Sequence, residues 1–437
     1  MRVLGGAGFM GGMLGSVLVS CVAPGLAAAP QADAVQVAAV TRSLRPAMRP
    51  ARASAKQEAI PVAATNQRFQ NWIGAFKRRA AAQGISAQVL DKAFAGARYD
   101  ADVVRRDRNQ SEFTKTIWDY LGTAVSDARI ANGKAALQKQ LPTLEAIERQ
   151  YGVDKQVVVA IWGLESAYGT FRGSNNVIAS LATLAFDTRR SAFFEGQLIA
   201  ALRILQSGDT TPANMTGSWA GAMGHTQFMP TSYLDHAVDF TGDGRRDIWS
   251  DDPSDALAST AAYLAGFGWI KGQPWGVEVR LPKGFDYASA RRDNMMSPDN
   301  WAKLGVVGLD GQAVPEHGAG SILLPAGGQG AAFMIFKNFE VIERYNTADA
   351  YVIGVGHLGD RIMGGKPIQA DWPRGDRALT FRERKEMQRR LTEGGFDTVK
   401  IDGKIGPLTI AAVRAYQTAN GLLPDGYASL GLLERLR

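Results

Sequence analysis

The stretch KQVVVAIWGLESAYG, residues 155–169, predicts a helix that carries a carboxylate on its apolar face. Glu165 lies three residues after Trp162 and four residues after Ile161. A helix over residues 155–168 turns these side chains toward the same side, because positions three and four apart are neighbours on a helix surface. A glutamate is almost never fully buried without a partner, so this position needs an explanation.

Two interpretations of Glu165 are open at this point. A carboxyl group among apolar side chains tends to have a raised pKa, which suits a general acid that holds its proton near neutral pH. Gly169 follows shortly, so Glu165 lies near the helix end, where a cleft can reach it. Alternatively, Glu165 marks only the edge of the apolar face and pairs with an arginine such as Arg172. The spacing alone does not decide between them.

The sequence on both sides of this helix is typical of a mainly α protein of the α+β class. Apolar residues recur at spacings of three and four from Phe69 to Phe76. Further helices are predicted over residues 86–94, 135–151, 193–205 and 349–363. Short strands between glycine-rich turns are predicted over residues 277–281, 321–324 and 332–336. The strands indicate a small subdomain within a helical protein.

The 437-residue chain is too long for one ordinary core. Residues 31–64 are rich in Ala, Pro, Arg and Gln without apolar periodicity, which predicts a disordered linker. Pro367 and Pro373 indicate a second linker. The predicted segments are an export signal (1–30), a disordered linker (31–64), a catalytic domain (65–365), a linker (366–378) and a small helical domain (379–437).

The composition excludes several classes of partner and site. Residues 1–62 hold six basic and two acidic side chains, so they carry +4 of the total net charge of +7. Positive charge concentrated in a tail argues against a nucleic-acid partner. One cysteine allows neither an intrachain disulfide nor a cysteine-based metal site, and the four histidines lack the spacing of a zinc hydrolase. We expect no organic cofactor and a monomeric protein.

The first 30 residues are typical of a bacterial export signal, with Arg2 followed by no charge until Asp33. Cleavage can follow the small residues 27–29. Alternatively, residues 18–21 form a lipobox, and acylated Cys21 attaches the mature protein to the outer membrane. A membrane-spanning helix fits less well, since the run is rich in glycine. Each interpretation places the folded part outside the cytoplasm, in the periplasm.

The segment around Glu165 resembles the catalytic segment of the membrane-bound lytic murein transglycosylase B family, glycoside hydrolase family 103. The resemblance covers about residues 66–365. The motifs that carry it are IWGLESAYG (161–169), DRNQSEF (107–113), NNVIASLATL (175–184), GSWAGAMGHTQFMPTSY (217–233), Asn338-Phe339 and Arg344-Tyr345-Asn346. It implies a lysozyme-like helical catalytic domain, with Glu165 as the catalytic acid that cuts peptidoglycan glycan strands.

A single carboxylate suffices for the chemistry that the resemblance implies. Ordinary glycosidases use two carboxylates, and these motifs contain no evident partner for Glu165. In the family, one glutamate protonates the glycosidic oxygen and then, as a carboxylate, activates the C6 hydroxyl of the same N-acetylmuramic residue. Intramolecular attack has a high effective concentration, so no water is needed. The expected product is a 1,6-anhydromuramic end.

The resemblance also implies a set of residues that line the substrate cleft. Aromatic faces stack on pyranose rings, and Gln and Ser side chains bond acetamido groups. Carried over by position, the set is Ser218, Met223, Gln227, Phe228, Tyr263, Tyr345 and Tyr351. Ordinary packing is the alternative for each. His225 lies within the motif, and we assign it no proton-transfer role.

The segment DFTGDGRRD, residues 239–247, follows the start of a calcium-binding loop. Oxygen ligands occupy positions 1, 3 and 5, glycine occupies position 6, and Arg245 offers its carbonyl at position 7. Position 12 is Ser250 and not the usual glutamate. In the family an enlarged loop is closed by a later aspartate, which Asp255 matches, although Asp251 or Asp252 could substitute. The implied Ca²⁺ ligands are Asp239, Thr241, Asp243, Arg245 and Asp255, and the alternative is a turn without metal.

Residues 381–437 resemble the three-helix peptidoglycan-binding domain that accompanies many wall enzymes. The motifs that carry the resemblance are MQRRL (387–391), DGKIGPLT (402–409) and VRAYQ (413–417). A tethered binding domain raises the local enzyme concentration on an insoluble polymer. Two other functions stay open: a muramidase that hydrolyses the same bond with water, and a wall-binding scaffold with an inactive cleft.

Overall fold

The computed structural model describes residues 62–108 and 115–437, with side chains from residue 64 onward. The predicted export signal, the lipobox at Cys21, nearly all of the first linker and motif residues 109–113 lie outside the described residues. In the described ranges, no helix combines the length and the apolar character needed to cross a membrane.

The described residues form seventeen helices and six short strands, which confirms the prediction of a mainly α protein. The helices are α1 Val62–Ala81, α2 Ala87–Phe94, α3 Ala101–Arg108, α4 Ile117–Ala124, α5 Asp127–Lys139, α6 Leu141–Tyr151, α7 Lys155–Ser166, α8 Val177–Phe186, α9 Ser191–Ser207, α10 Pro230–His236, α11 Ser254–Gly266, α12 Pro298–Lys303, α13 Lys337–Glu343, α14 Asp349–Ile362, α15 Phe381–Glu393, α16 Pro407–Ala419 and α17 Leu430–Leu436. The strands are β1 Asn175–Asn176, β2 Thr216–Gly217, β3 Gly276–Arg280, β4 Val307–Gly308, β5 Ser321–Leu323 and β6 Ala332–Ile335.

Helix α7 lies at the centre of the largest core and packs against α5, α6, α11 and α14. Its residues from Val157 to Gly163 are all buried. The close approach of α14 depends on a glycine, since a Cβ on Gly359 would lie only 3.3 Å from the carbonyl oxygen of Gln156. Packing in the core therefore fixes the relative position of α7 and α14, the two helices that carry Glu165 and Tyr351.

The N-terminal prediction holds for α1, where Phe69 and Phe76 are fully buried. The helix begins at Val62, three residues before the predicted start of the catalytic domain. The helical stretch predicted over residues 135–151 is divided in the structure between the end of α5 and the whole of α6. The helix is interrupted at Gln140, which lies between α5 and α6. Pro142 stands in the first turn of α6, a position that suits proline.

Strands β3 to β6 form one antiparallel sheet in the order β4-β3-β6-β5. Val277 on β3 lies opposite Met334 on β6, and Met334 lies opposite Ile322 on β5. One face of this sheet covers a second core around the fully buried Trp301. The three predicted strands agree with β3, β5 and β6 to within one residue at each end.

The C-terminal helices α15 to α17 enclose a third core around Met387, Leu391, Val413 and Leu433, as a three-helix unit requires. This unit contacts the catalytic domain directly. The Asp425 carboxylate accepts a hydrogen bond from the Gly328 N–H at 3.0 Å, and Arg414 donates to the carbonyl of Ala290 at 2.8 Å.

The segment between the two domains has no helix or strand, but it is packed. The N–H groups of Gln369 and Ala370 donate to the carboxylate of Glu278 on β3. The Trp372 ring lies 6.3 Å from the Trp118 ring of α4. The segment therefore follows the surface of the catalytic domain, instead of spanning open solvent as a free tether.

Candidate active site

Glu165 occupies the last turn of α7, and the chain turns sharply just beyond it. Ala167 and Tyr168 have φ values of 49° and 59°, in the left-handed region that ends a helix. The Tyr168 ring folds back over Gly163, and its hydroxyl donates to the carbonyl of Arg129 at 2.8 Å. These contacts end α7 at Ser166, two residues before the predicted end, and leave Glu165 half-buried at the helix end.

The Glu165 carboxylate receives a hydrogen bond from a tyrosine on the neighbouring helix. The hydroxyl of Tyr351, on α14, donates to Oε1 at 2.6 Å. Burial raises the pKa of Tyr351 well above its ordinary value, and the negative charge of Glu165 raises it further. Tyr351 therefore stays protonated at physiological pH and acts as a donor.

Arg172, the alternative partner for Glu165, directs its guanidinium elsewhere. It donates to the carbonyls of Trp249 and Ser250 at 2.9 and 2.6 Å, and it pairs with Asp251 at 2.9 Å. The Arg172 guanidinium therefore pairs with Asp251 and not with Glu165.

Three predicted cleft residues, Phe228, Tyr263 and Tyr345, form one aromatic group. The Phe228 ring lies 5.9 Å from each of the rings of Tyr263 and Tyr345, and the two tyrosine rings are 5.0 Å apart. The Tyr345 hydroxyl donates to the carbonyl of Thr226 at 2.9 Å. Burial raises the pKa of Tyr345 well above its usual range, and so does the charge of Glu165. The charge of Glu165 therefore acts on both Tyr345 and Tyr351.

The loop between β2 and α10 supplies the other three predicted cleft residues. Met223 is fully buried and forms bridges with Gly217 and Phe228. Ser218 and Gln227 are half-buried, and Gln227 has a φ of 54°. Ser218 and Gln227 are thus more accessible than Met223 and Phe228, whose buried side chains pack beneath the loop.

Sequence reasoning missed the structural importance of His225. Its ring is 3% exposed and accepts a hydrogen bond at Nδ1 from the Trp162 indole at 3.1 Å, while Nε2 lies 2.7 Å from the carbonyl of Ser250. Only the neutral tautomer with the proton on Nε2 satisfies both contacts. Burial lowers the pKa of His225, and the charge of Arg172 lowers it further.

The backbone of His225 is also attached to α7, because the Ser166 hydroxyl donates to the His225 carbonyl at 2.5 Å. Gly169 allows this close approach, since a Cβ there would lie 2.6 Å from the His225 ring. His225 therefore connects the end of α7 to the segment around Ser250. The signal available in the sequence was the position of this histidine within the longest motif.

The motif that begins at Asp107 lies only partly within the described residues. Asp107 is 1% exposed and binds the guanidinium groups of Arg189 and Arg190, which lie just before α9. These ion pairs fix α3 against the chain between α8 and α9.

The predicted calcium loop brings three carboxylates together. Oxygen atoms of Asp239, Asp243 and Asp255 all lie within 4.8 Å of one another. Asp255, in the first turn of α11, is 3% exposed. Asp251 instead pairs with Arg172, and Asp252 accepts hydrogen bonds from Ser254. Of the three aspartates considered for closing the loop, Asp255 is the one in the cluster.

The Asp255 carboxylate is held by the backbone of the loop itself. Oδ1 accepts hydrogen bonds from the N–H groups of Phe240 and Thr241 at 2.9 and 3.0 Å, and Oδ2 accepts one from Asp247 at 2.9 Å. Burial raises the pKa of Asp255. A divalent cation among three carboxylates would offset that cost, so the donor set fits a hard cation such as Ca²⁺.

Two family models match the chain. Residues 68–360 match the transglycosylase SLT domain, and residues 382–436 match a peptidoglycan binding domain. The chain is 31% identical over 296 residues to membrane-bound lytic murein transglycosylase B of Escherichia coli strain K12, a match that covers 64% of this chain and 79% of that protein.

Solved structures extend the comparison to the fold. SltB3 of Pseudomonas aeruginosa, in complex with NAG-anhNAM-pentapeptide, is similar with a TM-score of 0.83 and 48% identity, over 84% of this chain and 99% of that chain. The Escherichia coli lytic transglycosylase Slt35 in complex with calcium is similar with a TM-score of 0.58 and 30% identity, over 69% and 94%.

Proposed function

The chain belongs to the transglycosylase SLT family, and we propose that Glu165 is the catalytic residue with which it cuts peptidoglycan. Family membership confirms the resemblance found in the sequence, and with it the lysozyme-like fold. The protein is a lytic transglycosylase that cleaves the β-1,4 bond between N-acetylmuramic acid and N-acetylglucosamine and forms 1,6-anhydromuramic ends. Its role is cell-wall remodelling.

The observation that carries the assignment is the position of Glu165 at the end of α7 with the Tyr351 hydroxyl on Oε1. In the first step the protonated Glu165 gives its proton to the glycosidic oxygen as the bond to the muramic C1 breaks. In the second step the Glu165 carboxylate takes the proton of the C6 hydroxyl as that oxygen bonds to C1. The carboxyl group is protonated again at the end, so one residue serves as acid and then as base.

Tyr351 gives the carboxylate a fixed orientation during this cycle. Its O–H donates to Oε1, and a hydrogen bond to a charged acceptor is stronger than one to a neutral acceptor. The contact therefore stabilises the Glu165 carboxylate, the form that exists after the first proton transfer and before the second. Attack by a hydroxyl of the same sugar is intramolecular, which removes the need for a second carboxylate to activate water.

The substrate-binding residues that we propose are those named from the sequence. Ser218 and Gln227 offer accessible polar groups for acetamido substituents, while Tyr345 and Tyr351 border the carboxylate. Met223, Phe228 and Tyr263 are largely buried and act by shaping the cleft. Complexes of SltB3 with NAG-NAM-pentapeptide and NAG-anhNAM-pentapeptide support binding of this class of substrate.

We infer that the loop binds a structural Ca²⁺ ion. The ligands are the side chains of Asp239, Thr241, Asp243 and Asp255 and the carbonyl of Arg245. The convergence of three carboxylates supports this site, as does the calcium complex of the related Slt35. The ion would offset most of the negative charge of the cluster and join the loop to the first turn of α11, the helix that also carries Tyr263.

The domain organisation that we propose follows the sequence: export signal 1–30, linker 31–64, catalytic domain 65–365, linker 366–378 and peptidoglycan-binding domain 379–437. The protein would act as a monomer in the periplasm, either soluble or attached to the outer membrane through an acylated Cys21. The family match over residues 382–436 supports wall binding by the last domain.

Mass spectrometry of products from purified sacculi tests the proposed reaction. Transglycosylation yields muropeptides with 1,6-anhydromuramic ends, which borohydride does not reduce. A muramidase yields reducible muramic ends, and an inactive scaffold releases no fragments. Either of these two outcomes would overturn the proposal.

A further inference from the structure

We propose that Phe171 is a stacking platform for a sugar ring of the bound glycan strand, adjacent to Glu165. This inference rests on the proposed position of the cleft. In the described ranges 62–108 and 115–437, Phe171 has the highest exposure of the large apolar side chains, at 73%. No other aromatic ring of the described residues packs against it.

The backbone before Phe171 is fixed to the catalytic helix. The Phe171 N–H donates to the carbonyl of Ser166, the last residue of α7, at 2.9 Å. The left-handed residues Ala167 and Tyr168 create the turn that makes this contact possible. The Phe171 backbone therefore contacts the residue that directly follows Glu165.

The backbone after Phe171 is fixed to the loop that carries the proposed cleft residues. The carbonyl of Arg172 accepts a hydrogen bond from the Gln227 side chain at 3.0 Å. A Cβ on Gly173 would lie 2.2 Å from the backbone of Gly217, which precedes Ser218. The chain at Phe171 thus runs from the catalytic residue to the polar wall of the cleft.

The combination of a fixed backbone and an exposed ring distinguishes Phe171 from an ordinary surface residue. Single apolar residues on a surface are common, and most need no explanation. Here the backbone on both sides of the residue is hydrogen-bonded, so the attachment point of the ring is fixed while the ring itself is exposed. An aromatic face in such a position suits the C–H face of a pyranose ring, because both surfaces are flat and apolar.

The glycan strand is the occupant that fits this position. The substrate is a polymer, so sugars next to the cleaved bond must cross the surface beside Glu165. A ring stacked on Phe171 would contribute to ground-state binding and leave the proton transfers unchanged. The predicted effect therefore appears in KM and not in kcat.

The test uses Michaelis parameters for the full-length protein with glycan strands freed of their peptide stems. Phe171→Ala should raise KM about fivefold, the size expected for the loss of one aromatic stacking contact. Phe171→Trp should keep KM near the parent value, and neither change should alter Tm. Met363→Ala is the matched control, since this side chain is 53% exposed and directly follows the end of α14, about 18 Å along the helix axis from Tyr351.

An unchanged KM for Phe171→Ala on peptide-free strands would overturn the inference. An increase seen only with peptide-bearing strands would overturn it too, because the ring would then contact the stem. Binding of the same strands to Glu165→Gln and to Glu165→Gln/Phe171→Ala, measured by titration, separates this question from catalysis. The double variant should bind about fivefold more weakly even if the proposed reaction proved wrong.

Discussion

Glu165 and Asp255 are both acidic side chains on core helices, but their hydrogen-bond partners differ in kind. Asp255 is almost fully buried and accepts hydrogen bonds from three backbone N–H groups. Glu165 is half-buried and accepts one from the Tyr351 side chain. Backbone donors fix the position of a carboxylate as part of the fold. A side-chain donor at an accessible helix end orients a carboxylate that can still exchange a proton.

The first prediction concerns Glu165 itself and carries the largest effect. Glu165→Gln should lower the rate of muropeptide release by about 10²- to 10⁴-fold, because the amide cannot transfer a proton. Tm should change little, since the amide has nearly the same shape. Asp255→Asn is the matched control and should show the reverse pattern: lower Tm with a smaller loss of activity. Release of muropeptides by Glu165→Gln at the parent rate would show that Glu165 is not the catalytic acid.

The second prediction tests the hydrogen bond that the Tyr351 hydroxyl donates to Glu165. Tyr351→Phe should lower kcat by about 10- to 100-fold, the range expected for a lost hydrogen bond to a charged group. Tyr263→Phe is the control, because the Tyr263 hydroxyl donates to the carbonyl of Arg344 instead. Equal values of kcat for the two variants would contradict the orienting role of Tyr351.

The third prediction concerns His225, which connects the end of α7 to the segment around Ser250. His225→Phe removes the ring contacts to Trp162 and Ser250 and should reduce the free energy of unfolding by about 1–3 kcal/mol. The loss in kcat should be less than that of Tyr351→Phe, since His225 touches the catalytic helix and not Glu165. Urea unfolding and steady-state kinetics on the same preparation measure both.

The pH dependence of this variant sharpens the prediction. The folded state keeps His225 neutral, while the unfolded chain binds a proton near the ordinary pKa of about 6.5. The stability that His225 contributes is therefore present above pH 6.5 and is lost as the pH falls toward its lowered folded pKa. Arg172 faces the ring and opposes its protonation, while Asp247 and Asp251 favour it. The loss of stability between pH 7.5 and 5.5 should be smaller in His225→Phe than in the parent, and an equal loss would refute the assignment.

The fourth prediction has the smallest effect and concerns the metal. Saturating Ca²⁺ should raise the Tm of the parent protein by about 3–6 °C, as expected when a ligand binds only the folded state. The shift should disappear in Asp243→Ala and persist in Asp251→Ala, whose carboxylate pairs with Arg172. If EDTA leaves the Tm of the parent unchanged, the loop is a turn without metal.

Local sequence pattern was enough to predict several elements and their residues. The apolar spacing at Phe69 and Phe76 predicted α1, and short β-rich segments predicted β3, β5 and β6. The spacing from Ile161 to Glu165 placed the carboxylate at the end of α7. Such predictions succeed because helix and strand periodicity is a property of neighbouring residues.

The packing of the interdomain segment was beyond the reach of the same reasoning. Two prolines and several charges between residues 364 and 378 are typical of a linker. The segment is nevertheless held by Glu278, about 90 residues earlier, and by Trp118. Because neither partner lies nearby in the chain, no local pattern could indicate the contact.

The sequence by itself determined that Glu165 lies on an apolar helix face near the helix end, and its motifs determined the family. Only the tertiary structure decided the surroundings of that carboxylate. Tyr351 reaches it from 186 residues away, and His225 joins the Glu165 helix to the segment around Ser250 through Trp162. The physical reason is that periodicity fixes the direction of a side chain on its own helix. The packing of distant helices then decides which hydroxyl, ring or carbonyl that side chain meets.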